Sequence, residues 1–285
     1  MRILWILLLI VVFSSFSNGP LAYKFYNADG EKATFEDVLK EAAEADVVFF
    51  GEHHNNPVCH WLRQEILQEL HENNEKKLVL GAEMFERDNQ QVLDEYINGW
   101  ISENRFEEES KLWPNYHTDY RPMTEWAKAE DIPLIATNIP RRYASMVAQH
   151  GKEFLDTLPE STHRFMTPLP FETDLSLRSY EEMMEMAGPH GSADFIHAQA
   201  IKDATMAFSI SENFDPENQQ FFHVNGAYHT IYREGIVHYL ENYFDELNTV
   251  VITSIEQEKA DAPGENDHEK GDFILVIPEN MTKTH

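Results

Sequence analysis

The stretch Val47-Val48-Phe49-Phe50-Gly51-Glu52-His53-His54-Asn55-Asn56-Pro57-Val58-Cys59-His60 decides how this chain folds. Its four leading residues are β-branched or aromatic, the composition of a strand buried on both faces. The run stops at Gly51, and a glutamate and two histidines follow at once. Asn56 can cap a helix, and Pro57 can occupy the first turn, where a missing N–H costs nothing. A buried strand thus delivers titratable side chains into the turn before a helix. Open α/β sheets place ligand sites at that corner.

The pattern repeats along the chain. Residues 77–82, 132–136 and 219–224 read as further strands, and 250–255 and 273–277 as closing ones. Thr34 caps an amphipathic helix within residues 23–44. The helix opened by Pro57 carries Leu62, Ile66 and Leu70 on one stripe. Residues 100–131 look helical with a break at Trp113-Pro114, and 256–272 read as an exposed charged loop. Alternation of strands with long crossovers predicts an α/β fold, a mostly parallel sheet flanked by helices. Prolines at 159, 168, 170 and 189 and the methionines 183, 184 and 186 predict a helical insertion or subdomain at about 145–215. Parallel strands end on one edge, so the polar turns at 51–54, 83–87, 137–142 and 225–229 become neighbours.

Charge and termini narrow the function. The 285 residues carry 22 Lys and Arg against 50 Asp and Glu, a formal charge of 22 − 50 = −28. That excludes nucleic acid as a natural partner. Met1-Arg2, the apolar run 3–13 and the small residues after it read as a signal peptide over residues 1–19, leaving one domain over 20–285. The run is too short to span a bilayer comfortably. The expectation is an exported protein, periplasmic or secreted, with no stable membrane anchor after cleavage. Cys59 is the only cysteine, so the core and not a disulfide must supply stability.

Two of the polar turns share a Gly-x-x-His pattern, Gly51 to His54 and Gly226 to His229. Glycine after a strand permits a tight turn or a positive φ, and the histidine projects from it. His54 and His229 with Glu52, Glu83 and Glu86 make a mixed imidazole and carboxylate set suited to a divalent metal ion. Without a metal, Glu52, His54, Glu83 and His229 can serve as carboxylate–histidine pairs in general acid–base catalysis. The H-E-x-x-H signature of zinc proteases is absent. His60, already inside the helix, is the weakest member of the first motif.

Four segments taken together carry a resemblance: G-E-H-H-N-N-P-x-x-H at 51–60, F-E-R-D-N-Q at 85–90, T-N-I-P-R-R-Y at 137–143 and N-G-A-Y-H-T at 225–230. The chain resembles the ChaN-like haem-binding uptake family within the wider Tiki, TraB and erythromycin-esterase group. The resemblance implies haem as ligand, a role in haem-iron acquisition, and a haem-dependent homodimer. A haem protein needs an apolar slot, an axial ligand and cations for the propionates. Arg141, Arg142 and Tyr143 offer two cations and a phenol, and Tyr228 offers another phenol. The wider group also contains peptidases and an esterase, so a metal-dependent hydrolase stays open as the alternative. Some relatives are lipoproteins, and this chain has no cysteine near its leader for a lipid.

Overall fold

The fold comes from a computed structural model that describes residues 21–285. The expected leader at 1–19 lies outside the described residues. Eight strands form one sheet: β1 (Lys24–Asn27), β2 (Lys32–Ala33), β3 (Val47–Glu52), β4 (Lys77–Glu86), β5 (Leu134–Asn138), β6 (Gln219–Gly226), β7 (Thr249–Gln257) and β8 (Phe273–Pro278). Their order is β2-β1-β8-β7-β3-β6-β4-β5. The six strands from β3 to β8 pair in parallel, and the β1–β2 hairpin adds antiparallel to β8. The strand Val47 begins lies in the middle, between β6 and β7.

The helices are α1 (Phe35–Glu44), α2 (Pro57–Asn73), α3 (Gln90–Ile97), α4 (Glu103–Glu109), α5 (Arg121–Ala129), α6 (Arg141–His150), α7 (Arg178–Ala187), α8 (Ala193–Glu212) and α9 (Ile236–Leu240). Successive residues of β3 point to opposite faces and enter different cores. Val48 and Phe50 pack with Leu62, Ile66 and Leu70 of α2, whereas Val47 and Phe49 pack with Ile201 and Ala204 of α8. Both faces are covered, which is why the strand is continuously apolar. Among the described residues no helix is long and apolar enough to cross a membrane.

Local signals explain the element starts. The Thr34 hydroxyl accepts the Asp37 N–H at 3.1 Å and the Asp37 carboxylate accepts the Thr34 N–H at 2.8 Å, a reciprocal cap. The Asn56 side chain accepts the Val58 N–H at 2.9 Å, and Pro57 opens α2 behind it. Between β5 and β6 the chain is built from helices and single helical turns, with α6, α7 and α8 as its main pieces.

Several strands run further than their apolar stretches. β3 continues through Glu52, β4 through Glu86 and β6 through Gly226, because parallel pairing goes on beyond the last apolar residue. Gly51 stands opposite Asn225, and Glu52 opposite Gly226. β5 starts at Leu134, after Pro133, which has no N–H to give to a ladder. Glu52, Glu83 and Glu86 therefore sit on strand backbone, and only the histidines lie in turns. The register of β4 against β5 shifts between Ala82 and Glu86, which re-aims the side chains at this end.

Candidate functional site

The C-terminal edge of β3, β4 and β6 gathers a buried polar cluster. Glu52 is fully withdrawn from solvent and receives three kinds of partner. Arg63 of α2 donates Nη1 to Oε2 at 2.7 Å, Tyr120 donates its hydroxyl to Oε1 at 2.9 Å, and His54 Nδ1 lies 3.4 Å from Oε1. Burial alone would raise the Glu52 carboxyl, but the Arg63 charge and the imidazoles of His54 and His60 hold it well below the usual carboxylate range. Arg63, itself 1% exposed, gives its other terminal nitrogen to the Asp119 carbonyl at 2.9 Å.

Tyr120 and Asp119 come from a π-helical turn, Tyr116–Tyr120, just before α5. Such turns concentrate at functional sites. Asp119 Oδ1 lies 3.3 Å from His60 Nδ1, and Asn115 bridges the Asp119 carboxylate at 2.6 Å and the His54 carbonyl at 2.8 Å. Trp113 meets the His54 ring edge-on, with centroids 4.9 Å apart. His54 keeps 34% of its side chain exposed. Burial works to lower its pKa, yet the Glu52 hydrogen bond and the charges of Glu83 and Glu52 leave it raised.

The second half centres on Glu83. One oxygen accepts the Gly226 N–H at 2.7 Å, and the other lies 3.1 Å from His229 Nε2. The opposite nitrogen of His229 is bonded to Asp203 of α8, whose second oxygen takes the Tyr180 hydroxyl at 2.7 Å. Burial would lower the His229 pKa, but two facing carboxylates push it up to about 10. Burial pulls Glu83 upward, and His229 overrides it and holds it far below the ordinary range. Burial raises Asp203 against the pull of the same cation. His54 Nε2 completes the set, 4.0 Å from Glu83 Oε2. Each imidazole is thus backed by its own buried carboxylate, and Glu83 lies between them.

The two motif glycines do not need a positive φ. Gly226 sits at φ −61, ψ 141 in extended backbone. Each glycine instead makes room for the other motif. A Cβ on Gly226 would come 2.7 Å from His54 Nε2, and one on Gly51 would come 3.0 Å from the Ala227 Cα.

Beside the cluster opens a cleft of about 360 Å³ between the end of β4, the β5–α6 turn and α8. Trp113, Ile139, Ala144, Ala148, Phe195 and Ala198 form its apolar wall, and Glu83 and Glu86 stand at its acidic side. Arg141 and Lys202 line it as well. Arg142 turns away to Asp88 and stacks over the Tyr143 ring, and Tyr143 is buried in the core of the α6–α8 face. Tyr228 does not line this cleft but a neighbouring cavity with Glu182 and Ile231; it is 44% exposed, with its hydroxyl 3.5 Å from Met186 Sδ.

The expected divalent-metal set is not assembled. Among the described residues no three His, Cys, Asp or Glu side chains converge as a metal ion requires. The physical reason is that the carboxylates of Glu52, Glu83 and Glu86 and the His229 ring are already committed, which leaves His54 Nε2, 4.0 Å from Glu83, without companion donors. Arg63 neutralises Glu52, Gly226 and His229 occupy Glu83, and Glu86 faces Lys111 at 3.3 Å. Cys59 is buried, and burial pushes its thiol up to about 12, so it is a small core residue and no nucleophile.

Sequence reasoning did not single out Arg63, Asp119, Tyr120, Asp203 or Gln199. Two of them carry a signal. Arg63 interrupts the apolar stripe of α2, and Asp203 is a lone carboxylate among Ala200, Ile201, Ala204 and Ala207. A buried charge needs a partner, so each marks an ion pair.

Comparison with known proteins agrees with this architecture. ChaN of Campylobacter jejuni, a protein with cofacial haem binding, superposes with a TM-score of 0.67 at 17% identity, covering 90% of this chain and 96% of that one. At that identity the likeness speaks for the fold. The type III effector HopBA1 (TM-score 0.48, 11% identity, 86% and 94% covered) and the erythromycin esterase EreC in its open conformation (0.47, 12%, 90% and 83%) are fainter likenesses. No curated protein matches the chain in sequence. Residues 38–240, which include both Gly-x-x-His loops and the whole cleft, match the family described as haem-binding uptake, Tiki superfamily, ChaN. The chain belongs to the ChaN-type haem-binding uptake family.

Proposed function

We propose that this protein binds haem at the C-terminal edge of its sheet and serves haem-iron acquisition outside the cytoplasm. The observation that carries the reading is the cleft beside Glu83, apolar on the Phe195 and Ala198 side and lined by the cation Arg141, in a member of a haem-binding family. Haem would bring two propionates, which Arg141 in the cleft suits, and an iron centre, for which an exposed phenol outside the cleft lining is the candidate. Tyr228 offers an exposed phenol one residue from His229. His229 contacts Gln199, which itself lines the cleft. Tyr228 suits axial ligation better than Tyr143, which is buried. Phe195, Met186 and Tyr228 are exposed apolar or aromatic side chains around this end of the molecule. A second copy can cover them, in keeping with the cofacial binding in the Campylobacter protein.

The experiment is a hemin titration of residues 20–285, followed by absorbance and by mass in solution. A shifted Soret band at a defined stoichiometry, with dimer forming as haem is added, is the expected result. A flat titration overturns the reading.

One arrangement favours a second reading, hydrolysis by acid–base catalysis. His54 is part-exposed with Glu52 behind it, and His229 is backed by Asp203, with Glu83 between the two rings. In this reading His54 moves the proton and His229 stays a fixed cation. A peptidase and esterase panel tests it, with His54→Ala removing any activity while leaving the melting temperature unchanged. Activity that survives His54→Ala rules it out.

A further inference from the structure

Around the C-terminal edge, several cations are matched by carboxylates. Lys111 faces Glu86 and Asp88, Arg142 pairs with Asp88, and Arg87 with Glu212. Arg141 and Lys202 differ. They line the cleft from α6 and α8, and among the described residues neither has a carboxylate within ion-pair distance. Lys202 reaches only the Gln199 side-chain oxygen, at 3.5 Å. The cleft's own carboxylates do not serve them, since Glu83 is held by His229 and Gly226, and Glu86 faces Lys111.

Two cations in one cleft without an ion-pair partner among the described residues stand out in a chain with 50 acidic and 22 basic residues. The overall negative field does not cancel them, because salt screens charges beyond about 8 Å at physiological ionic strength. A ligand carboxylate within the cleft feels Arg141 and Lys202 first. Arg141 offers a planar fork suited to bidentate carboxylate binding, and Lys202 offers a point charge on a flexible stem.

We infer that Arg141 and Lys202 form a cradle for the two propionates of haem, so that the site selects the free dicarboxylic acid over a neutral porphyrin. The inference rests on the haem reading and replaces the Arg141 and Arg142 pair suggested by the sequence, because Arg142 is taken by Asp88. The Ala144, Ala148 and Ala198 side chains that line the cleft with the two cations are small, which leaves room for a flat ring to approach the wall.

The test compares hemin with hemin dimethyl ester, whose propionates are neutral. Wild-type protein, Arg141→Ala, Lys202→Ala, the double variant and Arg141→Lys are each titrated with both pigments. Wild type should bind hemin more tightly than the ester by roughly tenfold or more, the scale of one charge-assisted hydrogen bond. Each alanine variant should lose part of that preference and the double variant all of it, while Arg141→Lys retains some. Equal wild-type affinity for both pigments, or a preference that survives in the double variant, overturns the cradle and leaves haem binding standing. Binding of neither pigment by wild type overturns the haem reading and the cradle with it.

Discussion

Gly226 and His54 belong to different motifs, yet a Cβ on Gly226 would stand 2.7 Å from the His54 Nε2 atom. The two Gly-x-x-His loops are built around each other. The clash at Gly226 is with the tip of a part-exposed ring, which can swing away. At Gly51 the nearest atom is the Ala227 Cα at 3.0 Å, part of the backbone. Gly226→Ala should therefore cost little stability while displacing His54 from Glu83. Gly51→Ala should cost about 1–3 kcal/mol, the usual range for forced overpacking. Urea denaturation of the two variants checks the order, and a larger loss in Gly226→Ala contradicts it.

Arg63 and Glu52 form a buried ion pair at 2.7 Å, with the arginine 1% exposed. Removing one partner strands the other charge. Arg63→Met should lower stability by about 3–5 kcal/mol. Adding Glu52→Gln to that variant removes the stranded charge and should recover part of the loss. Chemical denaturation of the two single variants and the double variant measures this coupling. Additive losses would mean that the pair does not stabilise as a unit.

The sequence makes the framework legible for a simple reason. A strand buried on both faces must be apolar throughout, so Val47 to Phe50 announces a central parallel strand, and Asn56-Pro57 announces the helix after it. The site was only half legible. Glu52, His54, Glu83 and His229 follow strand ends and can be read as neighbours, whereas the Tyr120 hydroxyl meets Glu52 across 68 positions of chain. No local pattern encodes that contact. Asp203 is similar: its place in an alanine-rich helix says that it is buried, and only the packing of α8 on the sheet says that its partner is His229. The glycines teach a different lesson. Their type was readable, but its reason is crowding between two loops and not a left-handed turn. The β1–β2 hairpin escaped notice because two paired residues on the edge strand leave almost no periodicity to read.

His229 gives the protein a pH dependence. Its folded-state pKa is raised from 6.5 to about 10, because the Glu83 and Asp203 carboxylates outweigh burial. Between those values the folded protein keeps a proton that the unfolded chain releases. The stabilisation is therefore fully present below pH 6.5 and is lost as pH rises toward 10, by at most about 1.4 kcal/mol per pH unit. Denaturation midpoints across that window should fall for the wild type and fall less steeply for His229→Gln. An identical slope in the variant would move the effect to other groups.

Tyr228 separates ligation from architecture. Its side chain is 44% exposed, and its hydroxyl touches only the Met186 sulfur, at 3.5 Å, among the described residues. Removing that oxygen costs the fold almost nothing, since exposed substitutions generally stay within about 0.5 kcal/mol. Tyr228→Phe should therefore melt with the wild type. Tyr143 provides the contrast, because its phenol is buried and lies 3.3 Å from Arg142 Nη2. If Tyr228 gives its phenolate to haem iron, Tyr228→Phe should lose the phenolate-to-iron charge-transfer band and shift the Soret maximum, while Tyr143→Phe keeps both. Absorbance spectra of the two hemin complexes decide the matter. A spectrum unchanged in Tyr228→Phe removes this residue as the axial ligand, and a change confined to Tyr143→Phe would assign the role to the buried phenol.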